Sequence, residues 1–211
     1  MKSVVKRLLS ILCNLITIKK NSILFIEKSY PSGSNTKILY EKIKRKYNVD
    51  LIYSDDILYE RKTIFDYLKY IKKMLGISKY HLVITTHGFQ TFNSKQIVIE
   101  LWHGIPLKSM AYMENNLITN QNFNLSYIIT NSKLDSVLMA SCMHIPFNKH
   151  KILGSPRNDH FFKEREPLDE FKNYKKIIMY MPTFRKGYLE REEGEVSFSI
   201  IPVNNFNEMD F

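Results

Sequence analysis

Three short segments combine residue types that could handle a phosphorylated substrate. In Trp102–Lys108 (WHGIPLK) a histidine stands beside a glycine and is followed by a proline and a lysine. A neutral imidazole there could take the proton of a substrate hydroxyl as it attacks. Pro106 suits the first turn of a helix, whose unpaired N–H groups and positive dipole end favour an anion, and Lys108 adds a cation. In Gly154–Asp159 (GSPRND), glycine and proline favour a tight turn and Arg157 offers a fork of donors for phosphate or carboxylate. Asp159 could cap the next helix or orient Arg157. In Met181–Arg185 (MPTFR), Thr183 and Arg185 stand just past an apolar run. Taken singly, each segment is equally readable as a plain turn at the end of a strand.

Side chains of this kind must be held by strand ends, and the sequence supplies them. Ser22–Glu27 (SILFIE), Asp50–Tyr53, Tyr80–Thr85 (YHLVIT), Gln96–Trp102 (QIVIELW), Ser126–Thr130 and His150–Leu153 read as short strands. Helical patterns cover Thr36–Tyr47 and about Thr63–Leu75, the latter ending near Gly76, with further helical turns between the later strands. Strands alternating with helices imply an α/β fold, a Rossmann-like parallel sheet covered on both faces, with ligands gathering at the carboxyl ends of its strands. All three segments follow a predicted strand. A charged stretch, Lys163–Lys176 (KEREPLDEFKNYKK), reads as a linker, and Lys176–Met181 (KIIMYM) opens a second domain. Too few residues follow to close another doubly wound domain, which takes on the order of 100 or more. The expected organisation is a helix over 1–20, a Rossmann-like domain over 21–162, a linker over 163–175 and an incomplete second domain over 176–211.

Wound as a helix, residues 4–18 separate Val4, Val5, Leu8, Leu9, Ile11, Leu12, Leu15, Ile16 and Ile18 from Lys6, Arg7, Ser10, Cys13, Asn14 and Thr17. The apolar runs are shorter than the roughly 20 residues a bilayer span needs, and no A-x-A-like cleavage site follows. Two readings stay open: a helix packed on its own domain, or one lying in an anionic membrane surface with Lys2, Lys6, Arg7, Lys19 and Lys20 at the headgroups.

Composition narrows the classes. The formal net charge of +10 points to a polyanionic or phosphorylated partner. Helix-turn-helix, zinc-finger and RRM signatures are absent, which argues against nucleic acid. Two distant cysteines, Cys13 and Cys142, make neither a disulfide framework nor a zinc site and fit a reducing, cytoplasmic setting. Asp55-Asp56 reads as a solvated turn, and no metal or cofactor is expected.

In order and separation, WHGIPLK, GSPRND and YMPTFR resemble the motif series of the CDP-glycerol glycerophosphotransferase family, usually WHGTPLK, GYPRND and YAPTFR or YAPTWR. The likeness runs from about Asn21 to Lys186 and includes the SILFIEKSYPSGSNT opening. It implies a two-domain glycosyltransferase-B architecture. It also implies transfer of glycerol phosphate, or in some branches ribitol phosphate, from a CDP-activated donor to a lipid-linked glycerol-phosphate acceptor. The setting implied is the cytoplasmic membrane face, where teichoic acid or capsule polymers are built.

By the same resemblance His103 is the base that activates the acceptor hydroxyl, and Lys108, Arg157, Asn158, Asp159, Thr183 and Arg185 form the phosphate-binding set. His87, in Thr86-His87-Gly88, is assigned a structural role. Ile105 and Ser155 depart from the usual Thr and Tyr. Nothing past Arg185 resembles the family's later segment with a second histidine and an Asp-Tyr-Ser-Ser-like loop. The expectation is therefore a truncated enzyme that does not turn over usefully alone, half of a split enzyme with a separately encoded carboxyl-terminal half, or an acceptor-binding module.

Overall fold

A computed structural model describes residues 3–28, 35–57, 63–106, 110–113, 124–163 and 176. Among them six strands, β1 (Lys19–Glu27), β2 (Asn48–Tyr53), β3 (Tyr80–Thr85), β4 (Ile97–Glu100), β5 (Tyr127–Thr130) and β6 (His150–Ile152), pair in parallel in the order β2-β1-β3-β4-β5-β6. The chain goes from β1 outward to β2, then returns past β1 to build β3 to β6 on the other side. The reversal puts a topological switch point beside β1, where the crevice outside the strand ends takes ligands in folds of this kind.

Strand alternation sorts the core onto two faces. Leu24, Ile26 and Val83 meet α1 (Ser3–Asn14) and α3 (Ile64–Ile77) through Leu9, Cys13, Tyr70, Met74 and Ile77. On the same face Val98 and Ile128 meet Met139, Cys142 and Met143 of α4 (Lys133–Met143). The opposite parity, Phe25 and Ile84, packs with Leu39, Tyr40 and Ile43 of α2 (Asn35–Ile43).

Local chemistry fixes where these helices start. Thr63 and Asp66 form a capping box at α3: Asp66 N donates to Thr63 Oγ1 (3.2 Å), and Thr63 N donates to Asp66 Oδ2 (2.9 Å). Ser132 caps α4 by accepting from Asp135 N at 3.1 Å. His144 closes that helix in the left-handed conformation, φ 51°.

The end of α3, at Ile77, falls beside Gly76 as expected. Several other expectations change. β4 ends at Glu100: Leu101 N still donates to the Thr85 carbonyl at 2.8 Å, and Trp102 then turns out of the sheet at φ 53°. Pro106 and Met110 lie outside any helix, so no helix begins at Pro106.

The amino-terminal helix is shorter than expected, and Lys19 and Lys20 belong to β1. It docks on its own domain largely by its polar side. Leu9 and Cys13 are buried, while Ser10 Oγ and Asn14 Nδ2 donate to the Phe92 carbonyl at 3.3 and 3.1 Å. Leu8, Ile11, Leu12 and Leu15 are left 46–76% exposed. The mixed polar face docks and the aliphatic face looks outward.

Two units divide the chain, residues 1–164 and 165–211. The expected linker, the expected strand at Lys176–Met181 and the YMPTFR segment fall, Lys163 and Lys176 apart, outside the described residues.

Candidate functional site

The carboxyl edge of the sheet gathers side chains from the ends of four strands. Lys28 follows β1, Thr86-His87-Gly88 follows β3, Trp102-His103-Gly104 follows β4, and Gly154 to Arg157 follow β6. The imidazoles of His87 and His103 stack with centroids 4.3 Å apart and planes 21° from parallel. Trp102 stacks on His103 at 4.2 Å and 26°. His103, exposed at this edge, thus has ring partners in both His87 and Trp102.

A buried carboxylate places the two histidine turns. Glu100 Oε2 accepts from Gly88 N and Oε1 from Trp102 N, both at 2.9 Å. Burial pushes this carboxyl up to about 7, against the two backbone N–H groups, which act the other way. Trp102 takes φ 53°, a left-handed conformation rare for a bulky residue and a form of stored strain. Its peptide groups are tied on both sides, the N–H to Glu100 and the carbonyl to Asn35 Nδ2 at 2.8 Å. Those bonds hold the strained turn that presents His103.

Asn35, fully buried at the start of α2, also accepts from Arg157 N at 3.1 Å. Beneath it Thr36 Oγ1 donates to Glu27 Oε2 at 2.5 Å, joining the start of α2 to the end of β1. Gly154, at φ 81°, makes the bend out of β6, and Ser155 Oγ donates to Asn131 Oδ1 at 2.8 Å. Pro156–Phe162 then form a 3₁₀ helix. A Cβ on Gly104 would lie 3.7 Å from Arg157 Nη2, so the guanidinium packs over the histidine turn.

The electrostatics are those of a cationic cleft. Loss of solvent around the rings, first, and then neighbouring charge hold both imidazoles neutral: His87 is lowered to about 3, with His103 and Lys28 adding to the effect. His103 is lowered to about 4, with Arg157 and Lys28 adding. A neutral imidazole beside a guanidinium can receive a proton while the cation holds an anion. Among the described residues no three His, Cys, Asp or Glu side chains gather where a metal could sit.

Residues 8–205 match the sequence model of the family described as CDP-Glycerol:Poly(glycerophosphate) glycerophosphotransferase. The chain belongs to this family. The match covers the expected motif series and the region that resemblance had marked. No curated protein sequence matches the chain.

Among solved structures, that of the wall teichoic acid polymerase TagF is 17% identical over 76% of this chain and 46% of that one, with a TM-score of 0.52. A TagF variant soaked with CDPG is 17% identical over 76% and 48%, with a TM-score of 0.53. At such identity the likeness is one of fold, the expected glycosyltransferase-B-like α/β arrangement. This chain spans less than half the length of those TagF chains.

Of the residues expected from the family motifs, the structure brings His103 and Arg157 together. Asn158 and Asp159 are exposed in the 3₁₀ helix, and Asp159 forms an ion pair with Lys42 of α2. Lys108, Thr183 and Arg185 lie outside the described residues. Sequence reasoning missed Asn35, Glu100 and Lys28. Asn35 had one signal, its place at the end of a glycine- and serine-bearing loop before a helix. Glu100 had another, as a charge inside the apolar run QIVIELW.

Proposed function

We propose that this chain carries the acceptor-activating half of a glycerol phosphate transfer from CDP-glycerol to a lipid-linked glycerol-phosphate acceptor in teichoic acid synthesis. The observation that supports it is the pairing of a neutral His103 with the Arg157 guanidinium at the switch-point edge. The acceptor oxygen attacks the β-phosphorus of the donor, its proton passes to His103, and the bond from that phosphorus to the CMP oxygen breaks. Phosphoryl transfer needs alignment and charge stabilisation above all, and Arg157, with Lys108, Thr183 and Arg185, supplies cations and donors for the phosphates. The donor's negative charge would offset the cations that depress His103 and so strengthen it as a base.

The outward aliphatic face of α1 supports an acceptor held at a membrane surface. Ile64, Phe65 and Leu68 of the adjoining α3 are also exposed, and α3 begins at the carboxyl edge of the sheet. With exposed Lys6, Arg7 and Lys72 on the same helices, this surface suits an anionic bilayer interface. No helix among the described residues is long and apolar enough to cross a membrane.

The test is CMP release from CDP-glycerol by the full chain with a lipid-linked glycerol-phosphate acceptor, run beside His103→Ala and with CDP-ribitol as the competing donor. Release that depends on His103 and prefers CDP-glycerol supports the reading. Release indifferent to His103 overturns it.

A further inference from the structure

We propose that Asn35 is the positioning residue that sets the His103 turn and the Arg157 turn at their working separation, its side-chain amide bridging the main chains of both. The inference rests on the preceding reading for its catalytic meaning, but its geometry is independent of it.

Asn35 is 2% exposed and stands at the first position of α2. Its Nδ2 donates to the Trp102 carbonyl at 2.8 Å and lies 3.5 Å from the Leu101 carbonyl, while its Oδ1 accepts from Arg157 N at 3.1 Å. A residue that merely capped a helix would spend its side chain on N–H groups two or three positions ahead. This one joins main chain 66, 67 and 122 positions away. The turns it joins are the ones bearing the candidate base and the cation whose guanidinium packs over Gly104.

An amide suits the task because it donates on one side and accepts on the other. It also adds no charge beside His103, where a carboxylate would alter the ring's basicity. Precision of placement has chemical weight: a displacement of about 1 Å can cost roughly 100-fold in rate.

The charges near His103 make the separation measurable without turnover. Burial, first, and then Arg157 and Lys28 hold the ring below its ordinary value, and His87 is the titratable group stacked on it. If Asn35 keeps Arg157 in place, removing Asn35 lets the guanidinium recede.

The experiment is NMR titration of the histidine rings in the full chain at low salt, for the wild type, Asn35→Ala, Arg157→Gln and the double variant. Thermal unfolding of each variant confirms that it is folded. We expect Asn35→Ala to raise the His103 pKa in the same direction as Arg157→Gln, and the double variant to match Arg157→Gln alone. In the CMP-release assay, kcat should fall about 10- to 100-fold with KM changed less than about threefold.

An unmoved His103 in a folded Asn35→Ala chain overturns the proposal. So do additive shifts in the double variant, which would mean that Asn35 does not act through Arg157. Should Asn35→Ala fail to fold, Asn35→Ser, whose shorter side chain reaches neither turn, is judged by the same two criteria. No CMP release by the wild-type chain, even with a separately supplied carboxyl-terminal half, would sink the transfer reading while leaving the titration result standing.

Discussion

The two edges of the sheet use the same kind of buried side chain to different ends. At the amino edge, Gln96 Nε2 donates to the carbonyls of Ile77 and Tyr80, both at 2.9 Å. Nearby Asn93 Nδ2 donates to Ile16 and Ser78 at 3.3 and 3.2 Å. These amides fasten connecting segments, and nothing reactive hangs from what they hold. At the carboxyl edge Asn35 and Glu100 bind main chain in the same manner, but the peptide groups they hold belong to turns that carry His87, His103 and Arg157. A buried polar side chain closes one edge and aims the other, and only the second holds groups that the proposed transfer would use.

The largest expected effect tests whether the carboxyl edge is chemical at all. Replacing His103 with alanine should lower CMP release by about 10²- to 10⁴-fold, the range for loss of a general base. Next come the two buried anchors. Glu100→Ala strips two buried N–H groups of their acceptor, at about 1–3 kcal/mol each, and Gln96→Ala removes the donor to two carbonyls at a comparable cost. Denaturant unfolding should show both losses. Turnover per folded molecule should drop only for Glu100→Ala, and equal turnover in the two variants would erase the contrast.

A smaller effect is in the pH dependence of stability. Glu100 is raised from 4.5 to about 7, so between those values the native chain holds a proton that the unfolded chain releases, and stability falls as pH rises. His87 is lowered from 6.5 to about 3, so the unfolded chain binds the extra proton there, and stability falls as pH drops. The two slopes oppose each other between 4.5 and 6.5. Glu100→Gln should flatten the first slope and His87→Phe the second, as read from melting temperatures across that range. Smallest is Leu12→Ser on the outward face of α1. It should change stability by no more than about 0.5 kcal/mol while reducing co-sedimentation with anionic vesicles.

What the sequence disclosed follows from range. Tyr80–Thr85 ends in the β-branched run Val83, Ile84 and Thr85, and its predicted bounds match the strand. The WHGIPLK and GSPRND segments were found because their residues are contiguous. Asn35 and Glu100 were not, because their roles exist only once segments distant in sequence meet, and no local pattern records that. The wheel of α1 was undecided for a related reason. Hydrophobicity alone left the aliphatic stripe free to face either the core or a membrane surface, and it was Ser10 and Asn14, bonded to a distant carbonyl, that turned the opposite side inward.

The 122-residue span between Asn35 and Arg157 also orders events in time. Closing so long a loop costs little at equilibrium, since each doubling of length adds only about 0.6 kcal/mol. During synthesis, however, β1 and α2 leave the ribosome roughly 6–24 s before Arg157 does, at about 5–20 residues per second. The nascent chain can pair its early strands and stack its two histidines while the bridge from Asn35 still lacks its second pier. The early sheet thus comes together before this bridge, which is completed only when β6 and the turn after it arrive.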